Sequence, residues 1–428
     1  MTDSRWPRAV VTGFGAVAAQ GPTVVEWWAR VLAAAPGPVI DGPAETDVAR
    51  WMRARDARRA SLATRASVAA AGQAWALADL LLPTTGDEDG RPSPSGQRAE
   101  GVAPGRDDAQ VGAPTPPDPW RCGVALGNVY GAPDLLDEGR AALAATGPSG
   151  VGLHVAAQAC ENAPAAAVAM ALGVHGPTSS PSTACAAGGH AIGDAVDLIR
   201  LGRCDVVVAG AGQGPLDDVL AASYHAMRIV SSDGFVRPFD ARRDGSRFSQ
   251  GAGVLVIESL DHAVARGATI WAEVLGHANT NDADAKMAGD PESMARCVTA
   301  ALADGGVAPA DVAAVLAHGT ATVMNDRVES AVIAEAVGTH APVTSIKGVL
   351  GHGVAAAGAW NAVAGVLSIR DGVLPSVGRS VEVDPDVAAL GLDIVSGDAR
   401  PWTPGPIVSN AFGLGGANSA VVIAPYVP

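Results

Sequence analysis

The chain has 428 residues and a formal charge of −15, from 29 Lys and Arg against 44 Asp and Glu. That acidity argues against nucleic-acid binding, which draws its affinity from neutralised phosphates. Hydrophobic residues make up 48%, yet no uninterrupted apolar run reaches the ~20 residues of a membrane span, and no apolar segment follows a basic start. The five cysteines are scattered and odd in number, with no CxxC or HExxH pair. This pattern fits neither a disulfide framework nor a metal site and points to the reducing cytoplasm. No membrane, no nucleic acid, no metal and no resident cofactor are therefore expected. With 52 glycines, 30 prolines and only 4% aromatics, the composition suits a packed α/β enzyme whose core is mainly Ala, Val and Leu.

The chain opens with a buried strand and glycine turn, RAVVTGFGAVA (residues 8–18). Its GxG is short of a dinucleotide fingerprint. A helix follows at 24–35, carrying Trp27 and Trp28. Between residues 50 and 65 lie six arginines against one acid, Asp56. Such runs are usually solvated helix faces, but in so acidic a protein they also make a local positive field able to steer an acidic partner. An alanine-rich helix is expected at 66–82. Residues 83–119 hold eight prolines, six glycines and no aromatic residue. This stretch cannot bury enough apolar area to offset its ordering entropy and reads as a disordered surface insertion.

Regular patterning then resumes. Strands are expected at 121–127, 204–212 and 253–259, with helices at 133–145, 163–172 and 219–227. In the second half, strands are expected at 271–277, 311–317, 342–346, 407–410 and 420–424. Helices are expected there at 291–302, 327–336 and 355–369. The run at 204–212 is apolar on both faces, as in a strand covered on both sides, and a subunit interface is expected there or nearby. Two rounds of alternation predict two similar layered halves, without a residue-level repeat between them.

The segment PSTACAAGGHAIGDAVDLIRLG (181–202) organises the rest. Ala191, Ile192, Ala195, Val196, Leu198 and Ile199 fall on one helical face, with Asp194, Asp197 and Arg200 on the other. Cys185 precedes that helix, where the macrodipole and free N–H groups favour thiolate. Cys122, Cys160, Cys204 and Cys297 read as small buried hydrophobes. Three further motifs follow strands: HGTATVMND with His318, Asp326 and then Glu329; Lys347-Gly348 leading to GHGVAAAG with His352; and SNAFGLGGAN with Phe412 and Leu414. A lone histidine is more often structural than catalytic. Two of them in glycine-rich turns after strands, with Lys347 five residues before the second, are far less easily read as structural and are candidate site residues.

In combination and order, these motifs resemble those of the β-ketoacyl synthases, the thiolase-fold condensing enzymes of fatty acid and polyketide assembly. RPFDARRDG (237–245) and the opening VVTGFGAV match as well, so the likeness covers nearly all of the chain outside 83–119. The resemblance implies an α/β thiolase-like fold: two duplicated βαβαβαββ halves in a layered α-β-α-β-α sandwich. Residues 1–265 would carry the nucleophilic cysteine and residues 266–428 both histidines. It implies a decarboxylative Claisen condensation of an acyl group on Cys185 with a malonyl extender. Phosphopantetheine on an acyl carrier protein would deliver both groups. His318 and His352 would stabilise the enolate, and Lys347 and Glu329 would position them. Backbone N–H groups of Cys185 and Phe412 would form the oxyanion hole. Thr320 and Thr322 would bind the pantetheine arm, Leu414 would gate the site, and Arg55, Arg58 and Arg59 would dock the carrier protein. The partner subunit in a dimer would be a second copy or a homologous chain-length-factor subunit. This chain departs from the family at Gln250, where members carry an acid, at Leu414 in place of a phenylalanine, and in the insertion. These departures point to a specialised polyketide or polyene pathway. The alternatives are a chain-length-factor-like partner, which usually lacks the cysteine, and a non-decarboxylating acyltransferase.

Overall fold

The computed structural model describes residues 6–19, 21–34, 46, 48–80, 116–284, 289–378 and 382–428. Most of the stretch read as an insertion, up to residue 115, lies outside the described residues. Its last residues belong to the ordered chain, where Pro119 opens a short 3-10 turn capped by Asp118.

Among the described residues, thirteen strands alternate with helices: β1 (Ala9–Ala18), β2 (Cys122–Gly127), β3 (Thr178–Ser179), β4 (Val206–Gln213), β5 (Gly251–Ser259), β6 (Ala272–Asn281), β7 (Ala314–Leu316), β8 (Pro342–Thr344), β9 (Val373–Leu374), β10 (Asp393–Ile394), β11 (Arg400–Pro401), β12 (Ile407–Phe412) and β13 (Ala417–Ala424). Eleven form one sheet in the order β10-β8-β7-β12-β13-β6-β1-β5-β4-β2-β3, while β9 and β11 pair separately. Outward from β1 the pairings run antiparallel, antiparallel, parallel, parallel. Outward from β6 the same sequence recurs through β13, β12, β7 and β8, with a further parallel strand at β10. The two sets meet where Ala9–Val11 pair with Val274–Ala272. Trp271 strengthens this seam, its indole N–H donating to the Thr12 carbonyl at 3.0 Å.

Three cores separate five layers. The helix Ala187–Arg200 and the helix Ala356–Asp371 lie between the two sheet halves and share a core with strands of both. Small residues let these helices approach closely: a Cβ on Gly188 would stand 2.6 Å from the backbone nitrogen of Ala359. Trp360 is buried in the same layer, and its indole N–H is satisfied by Ala252 O at 2.9 Å. The helix Leu62–Leu77 covers the outer face of the first half. The helices Pro291–Asp304 and Val323–Ala336 cover that of the second. This is the layered thiolase-like α/β fold.

Several local expectations change. GxG at Gly13 and Gly15 is not a turn but lies inside β1. A Cβ on either glycine would come within 2.1 Å of a carbonyl oxygen, Ala74 or Ala70, of the crossing helix. That helix starts at Leu62 rather than 66, because Ser61 caps it by accepting from Thr64 N. Cys160 is exposed, not buried. The strand β4, the expected interface, is paired on both sides, so it has no free edge. The edge of that half is β3, two strands away. No helix among the described residues is long and apolar enough to cross a membrane.

Candidate active site

The strands β7, β8 and β12 run parallel, so their C-terminal ends open on the same side. His318 follows β7, Lys347 follows β8, and Phe412 ends β12. The remaining site residue comes from the first half: Cys185, in the 3-10 turn Ala184–Ala186 that runs into the helix Ala187–Arg200. The residue before it, Ala184, has φ +50°, a left-handed conformation that a side chain resists and that turns the thiol toward the second half.

One sulfur and two imidazoles, far apart in sequence, meet here. The Cys185 thiol and a ring nitrogen of each of His318 and His352 lie within 4.8 Å of one another, all buried. The two rings stand edge to face at 5.2 Å between centroids. Phe412 packs edge-on to His318 at 5.9 Å, and Phe248 stacks on His352 at 5.8 Å. A cavity of about 500 Å³ opens over them. Thr320, Thr322, Leu414, Phe412 and Gly413 also line it.

The groups around His318 hold its backbone. The Glu329 carboxylate accepts the N–H of His318 and of Gly319, each at 2.7 Å. Asn325 and Asn410 donate to the same carboxylate at 3.3 and 3.4 Å. The buried Lys347 ammonium donates to the His318 carbonyl. Asp326 accepts the N–H groups of Phe239 and Ala321, at 2.8 and 3.1 Å, which fixes the loop between. Neither Lys347 nor Glu329 lines the cavity. Burial pushes the Glu329 carboxyl up and the Lys347 ammonium down, and their mutual attraction opposes both shifts.

The ring of His352 has a defined tautomer. Its Nδ1 accepts the N–H of Val354 at 3.2 Å, so the ring proton sits on Nε2. Burial first, and then the Lys347 charge, hold the His352 imidazole well below its usual range. Burial, Lys347 and His352 do the same to His318. Both rings are thus neutral, and His352 presents an N–H to the site. A thiol and two imidazoles are zinc-type ligands. A metal, however, would need the Nε2 of His352 bare and its Nδ1 protonated against an N–H donor. The Nδ1 of His318 likewise has no carboxylate or carbonyl to orient it. This geometry suits hydrogen-bond donation, not ligation.

The thiol differs from its sequence reading. Burial pushes Cys185 up to about 11, against the lowering pull of Lys347 and of the Leu414 and Cys185 backbone N–H groups. Desolvation therefore outweighs the favourable terminus, and the resting group is the protonated thiol. The strand end beside it is close: a Cβ on Gly413 would stand 2.8 Å from Thr183 O and 3.2 Å from Cys185 N.

Arg55, Arg58 and Arg59 are exposed on the short helix Ala54–Ala57 and the turn after it, and line no part of this cavity. Arg55 forms an exposed ion pair with Asp56 at 3.5 Å. Sequence reasoning missed Tyr224, Ser246 and Phe248 in the cavity wall, whereas Asn418, also there, closes the SNAFGLGGAN motif. Phe248 and Ser246 follow the RDG loop already singled out, which was the available signal.

A family model for the β-ketoacyl synthase N-terminal domain matches residues 107–263, and one for the C-terminal domain matches 271–379. Nodulation protein E of Rhizobium leguminosarum bv. trifolii is 38% identical over 306 residues, spanning 70% of this chain and 75% of that protein. The ishigamide ketosynthase/chain length factor structure superposes with a TM-score of 0.84 at 28% identity, covering 99% of this chain and 100% of that one. A type II polyketide synthase ketosynthase, bound to a hexaketide and solved with its acyl-carrier protein, superposes with a TM-score of 0.80 at 27% identity, over 98% of this chain and 100% of that one.

Proposed function

The chain belongs to the β-ketoacyl synthase family of condensing enzymes, and from that membership we propose that Cys185 carries the acyl group while His318 and His352 activate the extender. The observation that carries this reading is the meeting of one thiol and two neutral imidazoles within 4.8 Å at the floor of a single cavity.

In the first step the Cys185 sulfur attacks the thioester carbonyl of an acyl chain on carrier-protein phosphopantetheine. A new C–S bond forms, the old one breaks, and the thiol proton leaves with the pantetheine sulfur. Backbone N–H groups of Cys185 and Leu414, the two that reach the sulfur, hold the transient oxyanion, Leu414 taking the place expected for Phe412. In the second step a malonyl thioester places its carbonyl oxygen against His318 and His352. The carboxylate leaves as CO₂, and its bonding electrons pass to the enolate, which the imidazole N–H groups stabilise. The enolate carbon then attacks the acyl carbon. A C–C bond forms, the C–S bond to Cys185 breaks, and the freed thiolate regains a proton from solvent. Donors placed before the charge develops supply this stabilisation without reorganisation.

Glu329 and Lys347 act as positioning residues, through the backbone of His318. Thr320 and Thr322 hold the pantetheine arm, and Leu414 closes the acyl side of the cavity. The exposed arginines Arg55, Arg58 and Arg59 receive the carrier protein. A second subunit, identical or homologous, extends the sheet at the β3 edge, and the enzyme acts in the cytoplasm. We divide the chain at residue 265/266, between the helix Leu260–Ala265 and β6. The presence of Cys185 favours a catalytic subunit over a chain-length-factor-like one. The pathway reading is polyketide-type, carried by the departures at Gln250 and Leu414.

The test is intact-mass analysis of the purified protein with acyl-loaded and then malonyl-loaded carrier protein. The expected result is an acyl adduct on Cys185, followed by CO₂ release and a chain longer by two carbons. Adduct formation without CO₂ would mark a plain acyltransferase. No adduct at all would mark the partner role.

A further inference from the structure

A second cavity, of about 220 Å³, lies behind the wall that Phe248 shares with the first. Its volume is below the ~300–1,000 Å³ of sites that take a whole ligand, and suits part of one. Its lining includes Gln213, His225, Arg247, Ser249, Gln250 and Val354, and no acidic residue is among the described residues that line it. In a chain of net charge −15 that composition is selective. Three polar atoms there are buried without any hydrogen-bond partner: Arg247 Nε, Ser249 Oγ and Gln250 Oε1. Buried polar atoms are nearly always paired, so three orphans on one cavity wall ask for a ligand or for waters that a ligand replaces.

The segment that carries them is tied to the site. The N–H of His352 donates to Arg247 O at 2.7 Å, and the N–H of Ser249 donates to His352 O at 3.0 Å. Phe248 lies between, stacked on His352 and tilted against Tyr224 at 4.3 Å between centroids. A chain growing from Cys185 past the Phe248 ring would therefore enter a space of mixed wall, in which an amide, a hydroxyl and a guanidinium stand among aliphatic side chains such as Leu216, Val230 and Val354.

We propose that this second cavity is a subsite for an oxygen-bearing acyl chain, one that retains keto or hydroxyl groups several carbons from the thioester. Arg247 donates to such an oxygen, Gln250 accepts from a hydroxyl, and Ser249 does either. A fully reduced alkyl or polyene chain would expel the water and leave all three groups unpaired, which selects against it. The inference rests on the acyl-Cys185 reading and narrows its substrate class to unreduced or partly reduced polyketide chains.

The test uses the full-length protein with pantetheine thioesters of octanoate and of octanoates bearing a keto or hydroxyl group at C5 or C7. Single-turnover loading of Cys185 is followed by intact mass. At least one oxygenated chain is expected to load tenfold or more faster than octanoyl. Arg247→Leu combined with Gln250→Leu should bring that ratio close to one, and Ser249→Ala should lower it severalfold. The readout is a ratio within one protein, so a less stable variant does not imitate the result. Octanoyl loading as fast as every oxygenated chain, or a ratio unchanged in the double variant, overturns the proposal. If no thioester of any kind loads while iodoacetamide still labels Cys185, the acyl-carrier reading itself fails and takes this inference with it.

Discussion

Val354 gives its backbone N–H to Nδ1 of His352 from a left-handed φ of +45°, a conformation that a β-branched residue resists. The strain is tolerated because the surrounding layer buries Val354 and over-determines its backbone. It leaves His352 with its proton on Nε2. A side chain that keeps an N–H near that position should keep part of the function. His352→Gln is expected to retain more CO₂ release from malonyl-carrier protein than His352→Ala, for which a loss of about a hundredfold or more is expected. Equal rates in the two variants would show that the donor on Nε2 is not used.

The Cys185 thiol is pushed up to about 11 by burial. Only the thiolate reacts, and below that value its population increases about tenfold for each unit by which the pH is raised. Iodoacetamide labelling at Cys185, measured by peptide mass, should climb steadily from pH 7 to pH 10. Lys347 is the main group pulling the thiol down, and Lys347→Met should slow labelling at any one pH. A plateau already reached near pH 7 would contradict this account.

Both site histidines are held neutral, their ring pKa values well below the usual range. In the unfolded chain each takes a proton near pH 6.5, so below that pH the unfolded state binds more protons than the folded one. The depressed groups thus contribute stability that is present above about pH 6.5 and lost as pH falls. The expected slope is up to about 1.4 kcal/mol per pH unit for each histidine. Urea unfolding between pH 5 and 7 should show it, and His352→Gln should make the dependence shallower.

Gly413 leaves no room beside the thiol, since an added Cβ would meet Thr183 O and Cys185 N. Gly413→Ala should shift the oxyanion-facing backbone by a few tenths of an ångström. Acyl loading on Cys185 is expected to fall about tenfold or more, because positioning errors of that order are costly in catalysis. Loading at the wild-type rate would show that the Cys185–Gly413 contact is not part of the reacting geometry.

The arginines remote from the cavity test carrier docking. Arg58→Glu with Arg59→Glu is expected to raise the KM for carrier-bound substrate, more so at low salt. The KM for a free pantetheine thioester should not move. A KM unchanged for both substrates would place the carrier protein elsewhere.

Much of this site was legible in the sequence, and the reason is local. His318 and His352 each sit in a glycine-rich turn after a strand, and Cys185 sits in a run of small residues just before a clear helix pattern. Glu329, two turns into a helix capped by Thr322, closely follows the motif that holds His318. What was not legible depends on elements distant in sequence. The GxG of β1 looks like a turn until the helix Leu62–Leu77 is laid across it. Tyr224 has no special pattern, because its importance lies in which cavity it faces. The thiol's raised pKa was missed because a helix terminus is visible in sequence, whereas desolvation is not.

The seam between β1 and β6 has a practical consequence. The thiol belongs to the strands on one side of it and both imidazoles to the strands on the other, while residues 266–271 are the stretch of chain that passes between. A protein nicked by protease within that stretch would keep its residues but hold its chemistry only for as long as the two fragments stay docked. Activity after such a cut therefore becomes a direct gauge of how firmly Trp271, Ala9–Val11 and the central helices clasp the halves together.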